Sequence, residues 1–416
     1  MIDTSDKICV VIGASHAGVN FAFALRREGW EGKIIVFDSD AELPYHRPPL
    51  SKSCLTVNDD SQSNLLFPEE SYKDDSITLC LGRTVVSINK EAKTVKTSDG
   101  MDQAYDTLVL AMGARPFIPS IKGIETAKNI FPLRTWDDAI KIGLALRHSD
   151  RKRVVVIGGG YIGLETAASL RKLGAEVTVL EREERILSRV TAQEMSDFFV
   201  KLHTENGVSI LSNKNVTSIQ NTNDANEIFC DDHTRYDADV IIVGVGIRVN
   251  TALAEQAGLP IENGIKVDGT ARTDDKNIYA IGDCTYHYNP HFDRYIRLES
   301  VQNAVEQAKV AAAAICGRKV AYNTIPWFWS DQYDVKLQMV GLSSGYNQII
   351  QRVEELTDNC LSVWYFKDEE LLAVDAVNNA KAYVLGGRFI QSRQQLDKEK
   401  LKDTSIPIKP LSFIAD

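Results

Sequence analysis

The chain of 416 residues carries a net charge of −10, 44% hydrophobic residues and 12 prolines. That length exceeds a single hydrophobic core and predicts two or three domains of ordinary globular composition. The acidity argues against nucleic acid as a general partner. Seven cysteines, at 9, 54, 80, 230, 284, 316 and 360, include no CxxC or CxC spacing. This argues against a zinc site, an iron–sulfur cluster or a thioredoxin-type dithiol carried by the chain itself, and it fits a reducing, cytoplasmic setting. The polar opening MIDTSDK is expected to be neither signal nor transit peptide, and no run of 18 apolar residues predicts a membrane span.

Residues 8–12, ICVVI, read as a strand buried on both faces. Gly13, Ser15 and Gly18 suit the turn after it, a helix is expected over 19–25, and a second strand, 34–37, ends at Asp38. Strand, glycine turn, helix, strand and acid form the layout of a dinucleotide-binding unit, in which backbone amides meet a pyrophosphate at a helix N-terminus. Ser15 stands where the middle glycine is usual. It is small enough for close approach if its backbone angles are negative.

The stretch 43–52, LPYHRPPLSK, is a stiff basic loop. It reads either as exposed surface or as a place where Arg47 and Lys52 face an anionic or electron-rich ligand. Residues 53–76, with Asp59 and Asp60, look like loop and irregular helix. Short strands are expected within 77–97, then a buried strand over 105–111 that Gly113, Pro116 and Pro119 terminate. A helix over 133–148, capped by Thr135 or Asp137, precedes a second copy of the opening pattern. Strand 153–157, the complete Gly158-x-Gly160-x-x-Gly163, helix 162–173 and strand 176–180 lead to Glu181. This repeat in the right context is a stronger signal than either match alone.

A helix over 191–206, strands at 208–211 and 216–219, a polar turn at 221–226 and a strong strand at 238–245 follow. A short helix at 251–257, a strand at 278–281 and an alanine-rich helix over 299–316 complete this part. The density of alanines predicts close packing against a sheet or a neighbouring helix. From about 321 the character changes: Trp327, Trp329 and Trp364, strands at 335–341, 348–353 and 361–366, and a helix at 379–393 suggest a further α+β domain. Its tryptophans read as core. The fold class expected is α/β, with two Rossmann-like dinucleotide-binding domains and a smaller C-terminal α+β domain. The boundaries are 1–112 with 247–320, 113–246, and 321–416.

Two dinucleotide units in one chain imply one tightly held and one exchangeable cofactor, and the chemistry that needs both is hydride transfer from a nicotinamide to a flavin. Glu181 would accept from a ribose 2′-hydroxyl and repel a 2′-phosphate, favouring NADH over NADPH. Arg182 and Arg185 oppose that preference unless they pair with Glu183 and Glu184.

Several motifs together carry a resemblance over nearly the whole chain. They are the Gly13–Gly18 turn; Pro44-Tyr45-x-Arg47-Pro48-Pro49-Leu50-Ser51-Lys52; Ala111-Met112-Gly113-Ala114-Arg115-Pro116; and Gly158-Gly159-Gly160-Tyr161-Ile162-Gly163-Leu164-Glu165. Tyr279-Ala280-Ile281-Gly282-Asp283-Cys284, Glu299-Ser300-Val301-Gln302-Asn303-Ala304 and Pro326-Trp327-Phe328-Trp329-Ser330-Asp331-Gln332 complete the set. The chain resembles the FAD-dependent, NADH-using ferredoxin reductases of bacterial oxygenase and cytochrome P450 systems. They lie within the two-dinucleotide-domain flavoprotein class that includes glutathione reductase. Ser15 for glycine and Met112 for the frequent threonine depart from the pattern.

The resemblance implies that Gly13, Ser15, His16, Ala17 and Gly18 wrap the FAD pyrophosphate and that Asp38 holds the adenosine ribose. Arg47 would lie along the adenine, Lys52 close to the isoalloxazine, and Asp283 at the ribityl or pyrophosphate part. Ala111, Arg115 and Val301 join the FAD side. Gly158, Gly160, Tyr161, Ile162, Gly163, Glu181, Arg182 and Gly246 would serve NADH. Glu165 would sit near the nicotinamide, paired with Lys52, and Trp329 at the flavin face. The implied partner is a [2Fe-2S] ferredoxin with a cytochrome P450 or oxygenase downstream, with no nucleic acid or membrane. The implied state is a monomer or weak homodimer. Arg294, Arg297, Arg318, Lys319, Arg388 and Arg393 are candidate docking cations. The rival readings are an NADH oxidase or peroxide-metabolising flavoenzyme using Cys54, and a flavoprotein of the apoptosis-inducing kind.

Overall fold

The computed structural model describes residues 3–56, 61–222, 225–354 and 359–415. Asp59 and Asp60, and residues 223 and 224 of the expected turn at 221–226, lie outside them. The chain forms two compact units: Met1–His46 with Asp60–Arg115 and Arg248–Pro326, and Arg47–Asp59 with Pro116–Ile247 and Trp327–Asp416.

In the first unit a five-stranded sheet runs in the order Ile278–Ala280, Thr107–Leu110, Ile8–Ile12, Lys33–Phe37, Ile77–Cys80. All four pairings are parallel. The strands are apolar because both faces are covered: helices pack on one, and the antiparallel sheet of Val85–Asn89, Thr94–Thr97 and Asp102–Ala104 contributes to the core on the other. The first helix spans His16–Arg27, three residues earlier than its apolar pattern. Gly18, a poor helix former, disguises the true start, so His16 and Ala17 belong to the first turn. The alanine-rich helix, Val301–Ile315, lies against that helix; Ala308, Ala311 and Ala312 are fully buried where the two pack. Small side chains permit this approach. The polar side chains of Gln302, Asn303 and Gln307 are buried with them.

The second unit repeats the parallel sheet in the order Ser209–Leu211, Glu176–Leu180, Arg153–Ile157, Val240–Val243, Ile130–Phe131. Thr135 and Asp138 cap the Trp136–Arg147 helix reciprocally. A second five-stranded sheet, all antiparallel, is ordered Trp327–Gln332, Val335–Gly341, Glu370–Val377, Leu361–Lys367, Gln348–Val353. The Ala380–Ser392 helix packs on it. Two of its strands escape the sequence pattern. Glu370–Val377 is buried on both faces and lacks alternation, and Trp327–Gln332 opens with three consecutive aromatics. Trp327 and Trp329 are half-buried, their rings 5.6 Å apart, rather than core. The proline-rich segment is only partly surface: Pro48–Ser51 forms a 3₁₀ turn with Leu50 and Ser51 buried.

Asp375 is 3% exposed in the middle of this sheet, and its carboxylate accepts from the Tyr365 hydroxyl, which in turn accepts from the Ala192 amide at 2.9 Å. Burial pushes its carboxyl up to about 7, against the opposing pull of Tyr365. A carboxyl raised in this way holds a proton in the folded state at a pH where the unfolded chain has lost it. Stability therefore falls as pH rises from about 4 to about 7 and is flat above. Asp375→Asn should remove that slope, worth up to about 4 kcal/mol for a three-unit shift. Melting temperatures at pH 5 and pH 8 should differ less in the variant than in the parent.

Candidate active site

The first glycine turn leaves its strand at Gly13, whose φ is 109° and whose amide donates to the Phe37 carbonyl at 2.7 Å. A Cβ at Gly13 would lie 2.3 Å from the Ala111 carbonyl oxygen, and one at Gly18 would lie 1.8 Å from the Gly13 oxygen. The second turn repeats this: Gly158 has φ 108°, and a Cβ at Gly163 would lie 2.2 Å from the Gly158 oxygen. Only glycine fits these positions. At Ser15 φ is −101°, a conformation open to any residue, so serine replaces the usual glycine without strain.

The acid closing each second strand clasps its own turn. Asp38 Oδ2 accepts from the Ala14 amide and Oδ1 from the Asp40 amide at 2.8 Å. Glu181 Oε2 accepts from the Gly159 amide at 2.7 Å and Oε1 from the Glu183 amide at 2.8 Å. Parallel register brings this about, since Ile12 faces Phe37 and Ile157 faces Leu180, one residue before each acid.

In the first unit the turn carrying Asp283 meets the helix that begins at His16. A Cβ at Gly282 would lie 3.0 Å from that of Ala17 and 3.8 Å from that of Ala304. Val301 opens the last helix there, capped by Ser300 on the Asn303 amide at 3.1 Å. Gly13, Ser15, His16, Ala17, Gly18, Asp38, Ala111, Asp283 and Val301 thus converge. Arg115 Nη1 donates to Asn250 Oδ1 at 2.8 Å.

In the second unit Glu165 is 5% exposed within the Tyr161–Lys172 helix. Its Oε2 accepts from Lys52 Nζ at 2.7 Å and Ser51 Oγ at 2.6 Å, and its Oε1 accepts from Ser330 Oγ at 2.7 Å. Ser169, one helical turn on, donates to the Ser51 carbonyl at 2.7 Å. The helix thereby grips the 3₁₀ turn at two points. Tyr161 donates to Met339 Sδ at 2.8 Å and lies 5.2 Å from the Phe328 ring. Trp329 neighbours Ser330 in the strand, with its ring against Trp327 and Phe328. Arg47 donates to the Arg134 carbonyl at 2.7 Å. Arg182 turns aside to Glu183 at 2.7 Å. Arg185 does not pair with Glu184; it donates to Ser196 Oγ and to the carbonyls of Ser188 and Thr191. Ile162 is exposed, and Gly246 has φ 117°. Ser51 and Ser330 were not among the expected site residues, although both stand inside the motifs that carry the resemblance.

These residues fit two dinucleotides. Both helices open without an acid in the first turn, so their N-termini suit an anion. A Cβ at Gly160 would meet no protein atom within 4 Å, leaving a cradle beside the helix start. Asn303 Oδ1 is buried without a protein partner where the last helix begins. None of the seven cysteines is in a disulfide, and burial pushes the Cys284 thiol up to about 11 and raises that of Cys9, so both are poor nucleophiles. Among the described residues no cluster of His, Cys, Asp and Glu is arranged to hold a metal, and no helix is long and apolar enough to cross a membrane.

Residues 7–308 match the pyridine nucleotide-disulphide oxidoreductase family and residues 327–412 the reductase C-terminal family. The chain is 40% identical to putidaredoxin reductase of Pseudomonas putida over 99% of its own length and 97% of that protein's. It superimposes on the crystal structure of a covalent putidaredoxin reductase–putidaredoxin complex with a TM-score of 0.92, at 40% identity, covering 97% of each chain. Against a ferredoxin reductase for a cytochrome P450 system of Rhodopseudomonas palustris the TM-score is 0.93 at 35% identity, covering 98% of this chain and 100% of the other. The chain belongs to the FAD-dependent ferredoxin reductases of the putidaredoxin reductase type, oxidoreductases that draw their electrons from NADH.

Proposed function

We propose that this chain passes electrons from NADH through FAD to a [2Fe-2S] ferredoxin that supplies a cytochrome P450 or a ring-hydroxylating oxygenase. The observation that carries the reading is the full-length likeness, C-terminal module included, to a reductase solved with putidaredoxin attached. Residues 1–112 with 247–320 form the FAD domain, 113–246 the NADH domain and 321–416 the C-terminal domain. The protein works in the cytoplasm as a monomer or weak homodimer.

When bound, FAD accepts the two electrons of a nicotinamide hydride and releases them singly. Gly13, Ser15, His16, Ala17 and Gly18 would hold its pyrophosphate, and Asp38 the adenosine ribose while keeping the turn closed. Asp283, Val301, Ala111, Arg115 and Arg47 complete that side. Gly158, Gly160, Tyr161, Ile162, Gly163, Gly246 and Glu181 would hold NADH, with Arg182 at the rim. Lys52 brings positive charge to the flavin, Glu165 orients Lys52, and Trp329 presents an aromatic face to the same region. The hydride step itself needs no general acid from the protein. Cys54 has no part in this scheme, which sets it apart from thiol-based peroxide chemistry.

Lys52→Met should slow stopped-flow reduction of the bound flavin by NADH about tenfold or more, equivalent to ~1.4 kcal/mol in the barrier; an unchanged rate would refute its role. Cys54→Ser should leave that rate within about twofold. Glu181→Gln removes the charge and keeps an acceptor for Gly159. The ratio of kcat/KM for NADPH to that for NADH should rise about tenfold. NADH-dependent reduction of a panel of ferredoxins, read through cytochrome c, tests the partner; no activity with any [2Fe-2S] protein would defeat the assignment.

A further inference from the structure

We propose that Ser330, Gln332 and His203 are positioning residues that act through one unbroken line of hydrogen-bond donors to fix the Glu165 carboxylate and, through it, the Lys52 ammonium. The proposal rests on the reading of Lys52 as the charge that tunes the bound flavin. The line runs inward from the Ser209-side helix, Gln193–Glu205, to the Trp327–Gln332 strand and ends on the Tyr161–Lys172 helix. Tyr333 hydroxyl to His203 Nδ1 is 3.4 Å, His203 Nε2 to Gln332 Oε1 2.8 Å, Gln332 Nε2 to Ser330 Oγ 3.1 Å, and Ser330 Oγ to Glu165 Oε1 2.7 Å. Ser330 and Gln332 share one face of the strand, alternating with Trp329 and Asp331. His203 and Ser330 are 0% exposed and Gln332 1%.

The direction of every bond follows from the carboxylate. Glu165, as a carboxylate, only accepts, so the Ser330 hydroxyl must donate to it. Ser330 then has lone pairs left for an incoming donor, which is the Gln332 amide NH₂. The Gln332 oxygen therefore faces His203, and His203 must carry its proton on Nε2. His203 Nδ1 is left as an acceptor for the Tyr333 hydroxyl. One tautomer of one imidazole is consistent with the whole line, and burial, which pulls the His203 imidazole below its usual range, keeps the ring neutral.

All four dipoles point toward Glu165, so they reinforce one another in a dry environment. The line is not a proton wire, because the neutral Gln332 carboxamide cannot pass a proton from its oxygen to its nitrogen without leaving its stable tautomer. What it transmits is orientation. Oε1 is pinned by Ser330, which leaves Oε2 aimed at Lys52 and Ser51. Loss of Ser330 lets the carboxylate rotate and carries Lys52 with it.

The test is the midpoint potential of the bound FAD in the holoenzyme, with the rate of its reduction by NADH and the dissociation constant for NAD⁺. Ser330→Ala and His203→Leu break the line; Ser330→Thr keeps the hydroxyl, and His203→Gln returns an N–H at the distal end of the side chain. The two breaking variants should shift the reduction equilibrium about tenfold toward oxidised FAD, about 30 mV for a two-electron couple. The NAD⁺ dissociation constant should stay within about twofold of the parent, and the two conservative variants should recover most of the shift. Ser330→Ala with the parent's potential and rate overturns the proposal. So do conservative variants shifted as far as the breaking ones, since packing alone would then explain the loss. If His203→Leu does not fold, Ser330→Ala, one oxygen smaller than the parent, carries the test. A parent protein that takes up no FAD, or is not reduced by NADH, removes the functional reading itself; a parent that is reduced normally beside an unaffected Ser330→Ala removes only the positioning line.

Discussion

A carboxylate in the interior of a packed helix is unstable unless every lone pair that faces protein finds a donor. Glu165 meets that condition with donors from two segments remote in sequence, Ser51 and Lys52 on one side and Ser330 on the other. The consequence reaches well beyond the site. To supply Ser51 and Lys52, Pro48–Ser51 must fold into a 3₁₀ turn against the helix within the second unit, although the chain up to His46 belongs to the first. To supply Ser330 the first strand of the C-terminal sheet must lie along the same helix. Proline is suited to the excursion. It fixes φ in advance, and each prolyl nitrogen lacks the hydrogen that a 3₁₀ start would leave without a partner. One buried charge thus ties together segments that hydrophobic burial alone would hold less specifically.

The same economy of means operates in the glycine turns. Each unit must present several amides at a helix N-terminus without a side chain to fill the space, and such a turn has little intrinsic rigidity. Asp38 and Glu181 supply it by receiving the second amide of the turn, Ala14 or Gly159, and a second amide just beyond the strand. The acid conventionally assigned to a ribose is therefore also a brace for the loop that meets the phosphates. Its charge beside the helix N-terminus is favourable for the same reason that an anion is.

The glycine turns, the two strand–helix–strand frames and the acids were legible in the sequence because all their determinants lie within about thirty residues, and the register that aligns them is fixed by continuous apolar runs. What stayed hidden depends on distant partners. Nothing in the neighbourhood of Glu165 announces Ser330, which is 165 positions away. The start of the first helix was obscured by Gly18, and the Glu370–Val377 strand by its two buried faces, which leave no alternation to read. Asp375 was invisible for a related reason: a carboxyl within an apolar run looks like an interruption until the Tyr365 hydroxyl is seen to donate to it from the neighbouring strand. The resemblance reached the proline-rich motif as a unit, but only the fold explains why its serine matters as well as its lysine.

An acidic chain and an acidic ferredoxin would repel each other if net charge decided the encounter, and the net charge here is −10. It does not decide it, because at physiological ionic strength a charge is felt over about 8 Å. Only the cations at the docking face count, and of those only the ones not already neutralised by a neighbour. Arg297 is paired with Glu299 and Arg318 with Glu28, which removes most of their field. Arg294, Lys319, Arg388 and Arg393 are exposed and form no ion pair among the described residues. The first two belong to one unit and the last two to the other. Steering by such sparse cations raises the rate of encounter more than the strength of the complex. That suits an electron carrier that must leave after each single-electron transfer, since a tightly held partner would make its own release the slow step of the cycle.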